Sequence, residues 1–451
     1  MIKNSVINKE DTLKLSFWLM VLFMPIHAKF WPLFNLKFSI QPSEIFAVIF
    51  LTLYYVNHRV RLNVDKYDAI ALIWAAFNIF SLLVLGFEKQ LLVEILKPIY
   101  LFFLYVAIRG YVSKNGLYET VKPFVFSVLF ASFLATLGWF FDLFGILNPL
   151  VLKVEYYPYF GDIARSRAFT STPGMLSSFL LVASFLVIYL WMSSREKIKY
   201  MYIIYFVFFM LAFVFAISKT IVIMLATLIL FYSLYEINLS RITTFFLRAI
   251  SIFMFLFYLV ASHIVVDFNN GDDIKGSQEN SEVMEGFQFG DIYIAPTTYY
   301  VIKKGSFEVF KDNVLFGVGP GQYNEYSNSL IKKGIYSNKE FPAFDPHSTL
   351  LGAITELGIF AGIYLVTVFV VIFKDLKYKI KTPLLDVKDR IFGLILFSLL
   401  IGISIESVVT DVMNFRQYWY LYALTAFYLT KSRPLHKSTQ IIPIITPNPV
   451  K

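Results

Sequence analysis

The chain has no cysteine in its 451 residues, which excludes disulfides, thiolate metal ligands and thiol nucleophiles together. Charge is scarce too: 16% of residues are charged, where a soluble protein carries roughly a quarter. Histidine occurs only five times. The first apolar run continues into "MPIHAKFWPLF" without a small-x-small cleavage site, so no cleaved leader is expected. Internal repeats and a separate soluble domain are also missing.

What fills the sequence is apolar. Hydrophobic residues make up 57%, with 49 Phe and 29 Tyr, as suits helices facing lipid and aromatic belts at its interfaces. Runs able to cross about 30 Å of hydrocarbon as helix recur near 13–34, 40–57, 68–86, 91–109, 121–145, 173–192, 200–217, 220–235, 245–266, 348–373, 391–408 and 415–430. Between the seventh and eighth, only Ser218-Lys219-Thr220 interrupts the apolar stretch, which reads as two short helices with the triplet at one surface. The expected fold class is all-α, a polytopic membrane protein of twelve transmembrane helices.

Twelve spans put both termini on one side, and charge decides which. One side collects 23 basic residues: Lys3, Lys9 and Lys14; Arg59, Arg61 and Lys66; Arg109, Lys114 and Lys122; Arg195, Lys197 and Lys199; Arg241; Lys374, Lys377, Lys379, Lys381, Lys388 and Arg390; Lys431, Arg433, Lys437 and Lys451. The short loops opposite hold 8: Lys29, Lys37, Lys89, Lys153, Arg165, Arg167, Lys219 and Arg416. The first set is cytoplasmic by the positive-inside bias. The net charge of +9 follows from this bias and implies no nucleic-acid partner.

The resulting division is helices one to nine in 1–266 with an outer loop at 146–172, a large periplasmic loop at 267–347, helices ten to twelve in 348–430, and a basic cytoplasmic tail at 431–451. The large loop starts acidic, "DFNNGDDIKGSQENSEVMEGFQFGD", a composition that does not fold by itself. It continues as a short amphipathic helix, "APTTYYVIKKGSFEVFKDN", and a glycine-rich turn, "FGVGPGQY".

Basic residues on the outer side oppose the orienting bias. Arg165 and Arg167 precede the sixth helix, Lys219 opens the eighth, Arg416 opens the twelfth, and Lys303 and Lys304 lie in the large loop. Each alone reads equally well as an interfacial anchor whose stem reaches the headgroups. As a group they suit a phosphate or pyrophosphate. The glycine turn lacks the Lys-Ser/Thr of a P-loop, and its glycines read as tight turns.

In "FDPHSTLLGAITELGIFAG" (344–362), Asp345 reads as the N-cap of the tenth helix and Pro346 as its first residue. His347 then falls in the first turn, among outward-facing N–H groups. Beside cations and a helix N-terminus an imidazole favours its neutral form, as a base needs. The alternative is an interfacial histidine bonded to a carbonyl. Gly358 and Gly362 form a small-xxx-small face. Glu356 falls at hydrocarbon depth, where an acid is either functional or caps a neighbouring helix.

"NVLFGVGPGQY" with "DPHSTLLGAITELGIFAG" resembles the C-terminal signature of the bacterial O-antigen ligase and O-antigen polymerase superfamily. "RSRAFTSTPGMLSSFLL" (165–181) and "AISKTIVIMLA" (216–226) are similar to upstream features of that family. Lys219 replaces the usual arginine of a Ser-Arg-Gly turn, and Lys303 and Lys304 stand where the large loop usually carries arginine. The resemblance implies a GT-C-like glycosyltransferase in the bacterial inner membrane, independent of metal and without a cofactor. Its substrate would be undecaprenyl-pyrophosphate-linked oligosaccharide, passed to another carrier-linked glycan (polymerase) or to lipid A core (ligase). A chain-length regulator protein is an implied partner, besides the lipid bilayer. Arg165, Arg167, Lys219 and Arg416 would then bind pyrophosphate, and His347 would activate or orient the acceptor. Polymerase is the preferred member because the motif positions are substituted. The rival class is a carrier-lipid flippase, whose relatives usually show repeats and helices broken at the midplane.

Reporter fusions at Asn280 and Lys381 are expected to report opposite sides of the membrane. The same side at both positions would overturn the topology.

Overall fold

The structure, a computed structural model, describes residues 9–27, 41–57, 64–85, 89–157, 161–236, 238–267, 286–333, 346–382 and 385–431. Eight helices come first: α1 (Lys9–Leu22), α2 (Pro42–Asn57), α3 (Lys66–Leu85), α4 (Lys89–Leu143), α5 (Pro173–Ser193), α6 (Glu196–Ala216), α7 (Thr220–Tyr235) and α8 (Arg241–His263). They are followed by α9 (Thr298–Asp312), α10 (Tyr323–Lys332), α11 (Thr349–Leu357), α12 (Ile359–Ile380), α13 (Val387–Glu406) and α14 (Arg416–Thr430). Where it is described, each apolar stretch of the sequence falls largely on helix. Among the described residues, five segments are long and apolar enough to cross a membrane: Leu96–Leu143, Pro173–Ser193, Ile198–Ala216, Arg241–His263 and Ile359–Ile380. They mark a helical membrane protein.

Local chemistry sets the boundaries. Thr172 caps α5 by accepting from Met175 N at 3.1 Å, with Pro173 as the first helical residue, where its missing N–H costs nothing. Ile217 closes α6 in a left-handed conformation (φ 44°), and α7 starts at Thr220. The Ser218-Lys219-Thr220 triplet is therefore a turn, as its polarity suggests. The fourth and fifth expected spans are two arms of α4 bent at Gly116 (φ 83°, ψ 164°). Buried aromatics join helices across the core, including Phe17 on Tyr111 at 3.9 Å and Phe124 on Tyr420 at 4.9 Å between ring centroids.

The all-α expectation needs amending by two small sheets. Strands β1 (Val151–Tyr157) and β2 (Gly161–Ser166) pair antiparallel in the expected outer loop. Strands β3 (Ile264–Asp267), β4 (Phe287–Phe289) and β5 (Ile292–Pro296) form a sheet in the order β3-β5-β4 that leads into α9. Most of the acidic stretch, 268–285, lies outside the described residues.

The largest departure is in the expected tenth helix. It breaks at Gly358 (φ 85°, ψ 178°) into α11 and α12. Ser348, not Pro346 or a residue before it, starts α11: its side chain accepts from Leu351 N at 3.5 Å. Asp345 lies outside the described residues. His347 precedes the helix in a left-handed conformation (φ 45°).

The glycine turn explains the break. Val318 N donates to Thr355 O at 2.8 Å, Gly319 N to Glu356 O at 2.9 Å, and Ile359 N to Val314 O at 2.9 Å. The turn thus supplies donors to the last carbonyls of α11, groups that a helix end leaves without partners. Both glycines at the contact are required. A Cβ on Gly317 would collide with the backbone of Glu356, and one on Gly358 with the backbone of Leu315; both also have positive φ, which disfavours any other residue. Gly362 packs against Ile354 of α11, so the small-residue face serves this fold-back.

Gly317→Ala and Gly358→Ala are expected to destabilise by more than the roughly 1–3 kcal/mol of such backbone strain alone, because each adds a collision. Gly352→Ala, on a helix with open space around it, is expected to be neutral or mildly stabilising, within about 1 kcal/mol. Thermal unfolding in detergent separates the three, and equal midpoints for Gly317→Ala and Gly352→Ala would show that the docking is not tight.

Candidate functional site

Polar contacts gather at two ends of the helix bundle. At one end basic residues meet carboxylates. Arg109 of α4 pairs with Asp65 and Asp68 at the start of α3, Lys66 with Asp375 of α12 at 2.6 Å, Lys114 with Glu10 of α1 at 2.6 Å, and Lys431 with Asp389 of α13 at 2.9 Å. These pairs hold helix ends together at one surface of the bundle.

The opposite end is different. The Arg165 Nε donates to Ala216 O at 3.2 Å, at the end of α6. Next to it, the Lys219 ammonium donates to Ala261 O, near the end of α8. Although Lys219 as a residue is exposed, enclosure of its ammonium and the Arg165 guanidinium beside it hold its proton affinity below the ordinary lysine range. His263, the last residue of α8, bonds Leu259 O through Nδ1 at 2.6 Å. A carbonyl can only accept, so the proton sits on Nδ1 and Nε2 is left as an acceptor. The Lys303 ammonium, from α9, donates to it. Burial lowers Lys303 to about 8. Arg165, Lys219, His263 and Lys303 therefore follow one another across four elements.

α9 is fixed to α8 by Thr297, whose N–H donates to His263 O at 2.9 Å and whose hydroxyl donates to Ser262 O at 2.7 Å. One helical turn before Lys303, and so on its face, is Tyr299. Its ring lies 5.6 Å from that of His347 between centroids. This contact brings His347 to the edge of the cation cluster.

Other expected site residues go elsewhere. Arg167 donates through Nε to Pro149 O at 3.2 Å, in the β1 approach. Arg416 is engaged with Ser43 and, at 2.5 Å, with Glu44 Oε1 of α2, a pairing that already neutralises it. Lys304 is exposed on α9, facing away from Lys303. Glu356 ends α11 and precedes a span of its own, α12 with 22 residues. That length crosses a bilayer by itself, so Glu356 belongs near the end of the bundle and not at its middle. Its carbonyl receives Gly319 N.

Two functional candidates escaped the sequence reading. His263 closes an apolar run, and its only signal was the scarcity of histidine. Glu406 is buried (1% exposed) at the end of α13, accepting from Ser178 Oγ at 2.5 Å and Tyr418 Oη at 2.6 Å. The following residue, Ser407, accepts Thr349 N at 2.9 Å, and Thr349 Oγ1 accepts Val412 N at 2.8 Å, so the start of α11 is seated beside it. Among the described residues no group of three or more His, Asp or Glu side chains is placed to hold a metal ion.

The lowered Lys303 has a consequence for stability. Unfolded lysine titrates near 10.4, so between about pH 8 and about pH 10 the unfolded chain keeps a proton that the folded chain has released. Stability rises with pH across that window. Lys303→Met is expected to flatten this rise and to stabilise most near neutral pH, where the enclosed charge is present in the wild type. Thermal midpoints in detergent at about pH 7 and about pH 9.5 measure it, and an unchanged pH slope in the variant would show that Lys303 titrates as an ordinary lysine.

Comparison with protein-family models and with curated protein sequences finds no match.

Proposed function

We propose that the chain is a membrane glycosyltransferase that acts on a lipid-diphosphate-linked glycan at the outer face of the bacterial inner membrane, with twelve spans and both termini cytoplasmic. The observation that supports this best is the succession of Arg165, Lys219, His263 and Lys303 at one end of the bundle, with His347 beside it through Tyr299. The Lys219 ammonium bonds a carbonyl oxygen and the Lys303 ammonium an imidazole, with the Arg165 guanidinium beside Lys219. Such a cluster is relieved by an anion, and a departing pyrophosphate is one.

In the reaction an acceptor hydroxyl attacks the anomeric carbon of the donor sugar. The bond from that carbon to the diphosphate oxygen breaks, and undecaprenyl pyrophosphate leaves with the electron pair. The hydroxyl proton passes to a base, the role assigned to His347. Lys219, Lys303 and Arg165 stabilise the charge that grows on the leaving group. The resemblance of "FGVGPGQY" and "HSTLLGAITELGIFAG" to O-antigen polymerases and ligases agrees with this chemistry. Polymerisation of surface-polysaccharide repeats is the preferred reading, and transfer to lipid A core is the alternative. A flippase fits less well, because the one helix break among the described spans of this region, at Gly358, lies at the beginning of a full-length span and not at its midplane.

Transfer is tested by following long-chain glycan in cells that express variants at equal membrane levels. Lys303→Ala and Lys219→Ala are each expected to slow transfer by about 10²–10³-fold, the loss of one good oxyanion donor. His347→Ala and His347→Gln are both expected to lose about 10²–10⁴-fold, since neither side chain accepts a proton at neutral pH. Partial rescue by Gln would assign His347 to orientation of the acceptor. Near-normal glycan with His347→Ala and Lys303→Ala would overturn the reading.

A further inference from the structure

We infer that the turn Val314–Phe316, which the sequence places in an aqueous loop, is immersed in the lipid leaflet at this end of the bundle and ties α9 to the membrane surface. Three neighbouring side chains, Val314, Leu315 and Phe316, are 40%, 55% and 44% exposed. A water-facing loop rarely presents three such residues together. The patch is continuous with surfaces that face lipid. The Phe316 ring lies 6.3 Å from that of Phe80 on α3, and Phe80 is itself 51% exposed. It belongs to an apolar stripe with Leu72, Ile73, Ile79 and Val84, one face of a helix by spacing. On the other side, Val314 O accepts Ile359 N, next to the exposed Phe360 that opens the apolar face of α12. Phe80 precedes the end of α3 at Leu85 by about 7 Å of helix rise, which sets the depth of the turn.

The backbone that flanks the turn is bonded within the protein: Gly317 N donates to Asn313 O at 3.0 Å, Val318 N to Thr355 O and Gly319 N to Glu356 O, while Val314 O accepts Ile359 N. These bonds hold the three apolar side chains at the junction of α9, α11 and α12. α9 continues the surface with Phe307, 48% exposed, beneath the Lys311 ammonium at 5.0 Å, an aromatic and a basic side chain as found at a headgroup boundary. The inference needs the chain to be in a membrane but does not depend on the reaction proposed above.

The absence of cysteine makes each introduced thiol unique. Nitroxide labels are placed singly at Leu315→Cys and Phe316→Cys, with Ile363→Cys on the lipid face of α12 and Glu325→Cys on the exposed side of α10 as references. The full chain is reconstituted in phosphatidylethanolamine–phosphatidylglycerol vesicles, and collision with oxygen is compared with collision with a water-soluble nickel chelate. The labels at 315 and 316 are expected to match Ile363, favouring oxygen several-fold over the Glu325 label. Values matching Glu325 would place the turn in water and overturn the inference. Labels shielded from both agents would also overturn it, because a second copy of the chain would then cover the patch. Monodisperse gel filtration establishes folding, and Val314→Cys replaces any variant that fails it.

Discussion

α11 ends against the glycine turn, and the arrangement at this end of the bundle depends on how its final carbonyls are bonded. The donors come from a turn that precedes α11 by the whole of α10. Val318 N and Gly319 N supply them, and the turn comes close enough only because residues 317 and 358 have no side chain. Unbonded, each buried carbonyl would cost about 1–3 kcal/mol. Once bonded, the turn fixes the C-terminus of α9 and the first residue of α12 in the same contact. The other end of α11 is held as firmly, through Thr349 on Ser407 and Val412. His347 stands just outside this second attachment, in a left-handed conformation that costs about 1–3 kcal/mol for a residue with a Cβ. Its position is imposed by the ends of α11 and not by any preference of its own.

Electrostatics separates the two ends of the bundle more sharply than sequence charge does. Where Lys66, Arg109, Lys114 and Lys431 lie, each cation meets a carboxylate, and the pairs join helix ends. At the other end Arg416 and Lys153 are paired with Glu44 and Asp142 in the same manner. Lys219 and Lys303 are held otherwise, by a carbonyl oxygen and an imidazole. Burial and the Arg165 guanidinium beside it lower the proton affinity of Lys219, a state that a fold alone does not favour.

The apolar helices were legible because about twenty apolar residues are needed to cross hydrocarbon and little else in a sequence looks like that. The α6–α7 turn was legible for the same reason, since three polar residues in an apolar stretch have only a surface to go to. Pairings were not. Arg416 meets Glu44 across 372 positions, and no local pattern announces it. Gly358 within "ELGIFAG" reads equally as a packing glycine or as a break, and only the arrival of Leu315 against it decides. The small sheets escaped because β4 has three residues, too few for a period to show. Residue types carried the reading further than spacing did: the unusual cations Arg165 and Lys219 come together in the fold, while His263 was hidden at the close of an apolar run.

Glu406 supplies the common reference for these pieces. A carboxyl group within an apolar bundle is costly unless its oxygens are bonded, and its donors come from two helices, Ser178 of α5 and Tyr418 of α14. α5 is the helix capped by Thr172 directly after the Arg165–Arg167 segment. α14 is the helix that begins with Arg416. Through Ser407, the residue following Glu406, the same junction receives the start of α11 and with it His347. Three stretches far apart in sequence (165–178, 347–349 and 406–418) are therefore located relative to one buried acid. Loss of either hydroxyl would leave that acid short of a partner and loosen all three together, which is why the geometry at this end is set from within the bundle and the loops above it can be long.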